Sequence, residues 1–249
     1  MARLDQALVL RGLARSRGQA TDAIRAGAVQ VNGRPANKPS TPVSDADRIE
    51  LTAADHYVSR AAHKLLGALD DSGLSVGGRV LDAGACTGGF TQVVLERGAT
   101  QVYAVDVGHG QLAAPVRGDP RVVVREGLNL RELTIDDVGG EPVDLIVGDV
   151  SFISLTLVLA PMVAVLRPDG AALVLVKPQF EVGRGGLDSQ GVVRDEAVRA
   201  RCVDAVAGRA AELGRPEVWR GPSRTPGTSG NIEWFLLLGN GPANVSGHG

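Results

Sequence analysis

The chain has 249 residues, 44% hydrophobic and 22% charged, with a formal net charge of −2. That is the composition of an ordinary soluble protein, long enough for a catalytic domain beside a small module. Cys86 and Cys202 stand alone and the four histidines, at 56, 63, 109 and 248, form no cluster, which excludes a disulfide framework and a structural metal. No apolar run has the length of a signal peptide core or a membrane span, so the cytoplasm is the expected location and no membrane is an expected partner.

The small net charge hides an uneven distribution. Residues 1–40 carry seven basic side chains (Arg3, Arg11, Arg15, Arg17, Arg25, Arg34 and Lys38) against Asp5 and Asp22, a local charge of +5. Within that stretch the spacing predicts a helix over 4–12 and a second that Ser16 caps and Gly27 closes. A strand at 28–31, a tight Asn32-Gly33 turn and a returning strand at 47–51 follow, with 39–44 expected as loop. Arg3, Arg15, Arg17 and Arg25 are candidate phosphate contacts; from charge alone a solvated face is an equal reading. The pattern RLDQAL…ARSRGQATDAIRAGAVQVNG resembles the small RNA-binding domain named after ribosomal protein uS4. That resemblance implies an RNA partner without implying a chemistry.

From residue 79 onward, apolar strands alternate with helices. Strands are predicted near 79–83, 101–105, 121–125, 143–148, 171–176, 216–220 and 232–238, and helices near 60–70, 89–97, 154–167 and 194–213. Strands that are apolar throughout, such as 143–147 and 171–176, require a sheet covered on both faces. The fold class is α/β: a doubly wound, seven-stranded sheet behind a small α+β module. The expected domains are 1–57 and 58–240, with a flexible tail at 241–249.

The first strand runs into Asp82-Ala83-Gly84-Ala85-Cys86-Thr87-Gly88-Gly89, small residues that let backbone amides approach a ligand, and the second ends at Asp106, placed to accept hydrogen bonds from a ribose diol. A glycine-rich turn by itself also fits a dinucleotide-binding dehydrogenase. The D-x-G-x-x-x-G-G form and the lack of a hydride-chemistry constellation argue against that reading.

Only three of the 26 basic residues are lysine: Lys38, Lys64 and Lys177. Where arginine serves as the generic cation, a lysine draws notice, because lysine alone can titrate near neutrality. Lys177 ends an apolar strand at the edge where open sheets bind ligands. Lys64, in VSRAAHK, also reads as a solvated helix lysine. Asp149 ends another apolar strand, and Glu233 lies in the final strand, where a carboxylate among apolar neighbours needs a partner.

The segments VSRAAHK, LDAGACTGGFT, DVGHGQL, GDVSFISL, LVKPQFEVG and GNIEWF resemble the TlyA family of rRNA 2′-O-methyltransferases, whose catalytic domain is FtsJ-like. The resemblance spans essentially the whole chain. It implies S-adenosyl-L-methionine as cofactor, ribosomal RNA or ribosomal subunits as partner, and a catalytic tetrad at Lys64, Asp149, Lys177 and Glu233. It further implies cofactor contacts at Asp82, Gly84, Gly88, Asp106 and Asn129. Phe152 falls where the family has an aromatic that stacks on a flipped base; a core phenylalanine is the other reading. The implied target is a cytidine of large-subunit helix 69. Small-subunit helix 44 is a further target of some members, which the short ends of this chain argue against.

Other readings are weighed against that one. A pseudouridine synthase shares the front module but needs a different fold. A base methyltransferase usually has N-P-P-Y or D-P-P-Y where this chain has Asp149-Val150-Ser151-Phe152. A non-enzymatic ribosome-binding protein remains an alternative, and a membrane-lytic one lacks a suitable helix. No feature points to a protein partner or a metal.

Overall fold

Leu4 and Leu8, four apart on one helix, and Ala20 and Ile24, four apart on the next, bury one small core with Val29, Val43 and Ile49. This core belongs to the first of two units in the computed structural model, Met1–His56 and Tyr57–Gly249. The structure describes residues 2–14, 16–25, 27–51, 56–183, 186–227 and 230–239. Candidate Arg15 and the expected tail at 241–249 lie outside the described residues.

In the first unit the helices are Leu4–Leu10 and Arg17–Arg25. Ser16 Oγ accepts a hydrogen bond from the Gln19 amide at 3.2 Å, filling one of the bonds a helix start leaves open. Strands Val29–Val31 and Arg34–Pro35 meet across Asn32 and Gly33, both left-handed (φ 52° and 76°), as a two-residue hairpin turn requires. Ile49–Leu51 pairs antiparallel with Val29–Val31. The stretch expected as loop is partly paired: Pro42–Val43 lies antiparallel to Ala2–Arg3. Two-residue pairings carry too little periodicity to read in advance.

The second unit has seven strands: β1 (Gly78–Ala83), β2 (Ala99–Asp106), β3 (Val122–Glu126), β4 (Val143–Gly148), β5 (Leu166–Val176), β6 (Glu217–Pro222) and β7 (Trp234–Leu238). Their spatial order is β6-β7-β5-β4-β1-β2-β3, with β7 antiparallel to both its neighbours and the other pairs parallel. Helices α1 (Ala61–Ser72), α2 (Gly89–Glu96), α3 (Leu159–Ala164), α4 (Pro178–Glu181) and α5 (Glu196–Glu212) are the main helices around it.

Alternation along each central strand divides two cores. Leu81, Ile146 and Val174 face a layer with Leu159, Met162 and Val206. Val80, Leu145, Val147, Leu173 and Leu175 face the other, with Leu65, Phe90 and Val93. Each such side chain fully removed from water contributes about 1.5–3 kcal/mol, so strands apolar on both faces hold the sheet and leave its polar atoms at the strand ends.

The single helix expected over 154–167 is instead a 3-10 turn, Leu155–Leu157, followed by α3. Breaking at Val158 places Pro161 in the first turn of α3, where its missing N–H costs nothing. β5 correspondingly starts earlier than predicted. Its irregular beginning is pinned by buried Arg215, which donates to the Arg167 and Pro168 carbonyls at 2.7 Å each. Glu233 precedes β7 instead of lying within it.

The loop after β1 approaches the end of β4 closely. A Cβ on Gly84 would lie 2.9 Å from the Asp149 carbonyl oxygen, and Gly84 has φ +86°. Backbone cannot yield as a side chain does, so Gly84→Ala is expected to destabilise the protein by about 1–3 kcal/mol. Chemical denaturation of the full chain reads this; a change below about 0.5 kcal/mol would contradict the tight approach.

Candidate active site

Strands β4 and β5 are parallel neighbours, so the residues that follow them, Asp149 and Lys177, emerge side by side. Lys177 Nζ lies 2.6 Å from Asp149 Oδ1 and donates to Ser151 Oγ at 2.6 Å. The contact with Asp149 is off the hydrogen-bond direction, leaving Oδ1 without a directed donor, so that pair is held by charge. Opposite, Lys64 of α1 donates to Glu233 Oε2 at 2.6 Å, and Gln179 donates from Nε2 to Glu233 Oε1 at 3.1 Å. All four candidate catalytic residues, with Ser151 and Gln179, line one cleft of about 510 Å³.

The two pairs are withdrawn from water: Lys177 is 8% exposed and Glu233 3%. Ions so buried persist only when paired and further hydrogen-bonded. Removing one member strands the other, which makes the cluster a unit. Sequence reasoning did not single out Ser151 and Gln179. Each lies two residues past a tetrad member, and that proximity is the signal that could have found them.

A second cavity, of about 440 Å³, opens beside the first. Gly84, Cys86, Asp106, Gln111 and Asn129 line it, along with apolar Val107, Leu128, Leu130, Val150, Ile153 and Val158. Asp106 is held by two backbone donors, Cys86 N at 2.8 Å to Oδ2 and Gly108 N at 2.7 Å to Oδ1. A carboxylate so anchored retains lone pairs for further donors. Asn129 caps the 3-10 turn Leu130–Glu132, accepting from Arg131 N at 3.1 Å. Gly88 starts α2 at φ +94°, where a Cβ would meet Leu112 and Val116 at 2.9 Å. Asp82 lies beneath, fully buried. Thr91 Oγ1 donates to its Oδ2 at 2.6 Å, while Oδ1 is buried without a hydrogen-bond partner. Burial pushes its carboxyl up to about 7, against the pull of Thr91, and the nearby Asp149 and Asp106 carboxylates push the same way.

Phe152 is no core residue: it is 90% exposed and left-handed (φ 64°), a conformation that costs a bulky side chain about 1–2 kcal/mol. Its ring lies 5.1 Å from that of Phe180, and both line the first cleft. In the other unit, Arg3 and Arg17 converge on the buried Asp5 carboxylate at 3.0 and 2.9 Å, which lowers that group to about 2. Arg25 ends its helix, exposed. The candidate RNA contacts thus lie in both units.

Comparison with known proteins agrees with this geometry. The FtsJ-like methyltransferase family matches residues 57–240 and the S4 domain matches residues 2–49. A Mycobacterium tuberculosis protein, the 16S/23S rRNA (cytidine-2′-O)-methyltransferase TlyA, is 54% identical over 95% of this chain and 89% of its own length. The chain belongs to the TlyA family of FtsJ-like methyltransferases. Hemolysin A of Brachyspira hyodysenteriae is 39% identical, covering 94% of this chain and 98% of its own. A solved Streptococcus thermophilus protein also carrying the hemolysin name is 36% identical, with a TM-score of 0.75, covering 97% of this chain and 89% of its own. Among the described residues no helix is long and apolar enough to cross a membrane.

Membership of this family implies S-adenosylmethionine as cofactor, and the second cavity fits it. The apolar walls suit a flat heterocycle, anchored Asp106 suits a diol, and three nearby acidic groups, two of them (Asp82 and Asp149) with an oxygen lacking a hydrogen-bond donor, suit a cationic ligand.

Asp82 gives the unliganded protein a pH signature. Its folded-state value lies above the ordinary 3.8, so ionising it opposes folding. The stability it contributes is complete below about pH 4 and is lost as pH rises through about 7. In Asp82→Asn, stability by denaturant titration is expected to decline less over that interval. Parallel curves for variant and wild type would refute the assignment.

Proposed function

We propose that the protein transfers the methyl group of S-adenosylmethionine to a ribose 2′-hydroxyl of ribosomal RNA, at a cytidine of large-subunit helix 69. The observation that carries the reading is the pair of buried lysine–carboxylate contacts in a cleft that shares a wall with the cofactor cavity. The M. tuberculosis relative, whose name covers both subunits and a cytidine 2′-oxygen, supports the target class and makes small-subunit helix 44 a second site to assay. The reading rests Gly84, Asp106 and Asn129 on the cofactor; Asp82, expected as a contact, is fully buried against Thr91, and Gly88 packs on Leu112 and Val116, so these two support the loop from behind.

The bound cofactor supplies a methyl carbon made electrophilic by a positively charged sulfur. A ribose hydroxyl attacks such a carbon poorly unless its proton leaves as the new bond forms. Lys177, once it has given up a proton of its own, holds the 2′-oxygen and takes that proton onto Nζ. Asp149, 2.6 Å away, stabilises the ammonium that results. Glu233 and Lys64 fix each other and the cleft wall, with Gln179 restraining the carboxylate. Placing the two reactants in line supplies about 7–11 kcal/mol in well-oriented systems.

Exposed Phe152 offers a face for the target base once it leaves its stack, offsetting part of the unstacking cost. Arg3, Arg17 and Arg25, with Arg15, supply phosphate contacts that orient the RNA without reading its sequence. Base methylation is disfavoured because Asp149-Val150-Ser151-Phe152 replaces the base-gripping N-P-P-Y type motif.

Mass spectrometry of rRNA from cells with and without the protein tests target and chemistry together. The expected mark is a ribose methyl on large-subunit rRNA; a mark on a base, or on small-subunit rRNA alone, would overturn the assignment. For the proton, Lys177→Arg is expected to lower single-turnover methyl transfer nearly as far as Lys177→Ala, about 10²–10⁴-fold. Arginine keeps the charge but stays protonated and presents a planar fork. An arginine variant that keeps most of the wild-type rate would reduce Lys177 to an electrostatic role.

A further inference from the structure

Asp149, Ser151 and Phe152 line both the cleft that holds the lysine–carboxylate pairs and the neighbouring cavity. A methyl group passing from a donor in one to an acceptor in the other crosses at that shared wall. Phe152 has no polar side-chain atom, and Asp149 is engaged with Lys177. Ser151 is exposed at this position, and its Oγ accepts from Lys177 Nζ at 2.6 Å. A serine hydroxyl that accepts one hydrogen bond still has its own proton and a second lone pair. Ser151 therefore faces the place where the attacking oxygen must sit, with hydrogen-bonding capacity to spare.

The geometry points to Ser151 as a further catalytic residue that contacts the 2′-hydroxyl directly and sets its rotation. The inference rests on the ribose-methylation reading and goes beyond the lysine–carboxylate set. One contact, from Lys177, fixes where the oxygen lies but leaves its proton free to swing about the C2′–O2′ bond. A second contact at a fixed angle removes that freedom. Nζ and Oγ are 2.6 Å apart, so a single oxygen can lie within hydrogen-bond reach of both. The Ser151 hydroxyl, accepting from Lys177, donates its own proton to one lone pair of the 2′-oxygen, which directs the 2′-hydroxyl proton at Lys177 Nζ and turns the other lone pair toward the donor cavity. As the oxygen–carbon bond forms, the carbon–sulfur bond breaks with its electron pair going to sulfur, and the proton passes to Lys177. Ser151 begins and ends as a neutral hydroxyl.

The test compares wild type, Ser151→Ala and Ser151→Thr in single-turnover transfer to a large-subunit rRNA transcript. Affinities for S-adenosylmethionine by calorimetry and for the transcript by filter binding are measured in parallel. Misorientation of a reacting group typically costs about 100-fold, so the alanine variant is expected to slow by about that factor with both affinities within about twofold. Threonine, which keeps the hydroxyl, is expected to recover most of the rate. In a Lys177→Ala background, Ser151→Ala is expected to cost much less, because both groups act on one oxygen.

An alanine variant within about threefold of wild type overturns the role, as does a rate loss matched by lost cofactor or RNA affinity. Full additivity with Lys177→Ala overturns it too, since that describes a residue acting elsewhere. If wild type itself places no methyl on a ribose, the underlying function falls first and this role with it. If wild type methylates and Ser151→Ala does also, only the role of Ser151 falls.

Discussion

Two ammonium groups and two carboxylates, taken largely out of water, must satisfy one another, and the architecture around the cleft follows from that requirement. Lys177 and Glu233 are each less than a tenth exposed. A charge so placed is tolerated only when a counter-charge is held at contact distance by something rigid. The rigid elements are β4 and β5, whose two-faced apolar packing leaves no room for Asp149 and Lys177 to drift, and α1, whose buried face holds Lys64 toward the sheet. The tight passage of the Gly84 loop past the Asp149 backbone ties the same strand end to the cofactor cavity. The two cavities thereby share one wall.

The division of cations follows the same logic. Arginine, always charged and strongly hydrogen-bonding, serves where a cation is anchored or exposed: Arg215 on backbone carbonyls, Arg3 and Arg17 on Asp5. The two described lysines of the second unit both line the cleft of about 510 Å³. Lysine presents a compact point charge on a flexible stem, which fits a carboxylate in a narrow space better than a planar fork does. Asp82 is the acidic counterpart, a carboxyl that burial brings to titrate at about 7.

Much of this was legible in the residues. Apolar runs that close on Asp106, Asp149 and Lys177 announce strands whose polar ends gather at one edge of the sheet, and the structure lines the two cavities with them. The lysine scarcity draws notice to Lys38, Lys64 and Lys177 alike, and only Lys177, at the end of an apolar strand, stands out further without structural knowledge. What could not be read depends on three-dimensional neighbours. Ser151 looks like a loop serine until Lys177 is found 2.6 Å from it, and Gln179 looks like a helix start until Glu233 accepts from it. The break at Val158 was hidden because 154–167 has helical composition, and only the placement of Pro161 decides where the turn must restart. Phe152 was open between core and surface, since a phenylalanine in a left-handed loop conformation has no sequence signature.

The order in which the parts are made sets a limit on when they can work. Glu233 meets Lys64 across 169 residues of chain, and it arrives immediately ahead of the strand that comes last among the described residues. That strand does not append to an edge: it slots between β5 and β6, which are otherwise unpaired with each other. During synthesis the preceding strands emerge with an open interior position, and Lys64 lacks its Glu233 partner until the segment around that carboxylate has left the ribosome. Contacts this distant in sequence form late, because the intervening chain must be ordered first. A nascent chain can thus hold most of the sheet yet lack the closed charge cluster, so the cluster and the filling of the sheet's interior position become a single event.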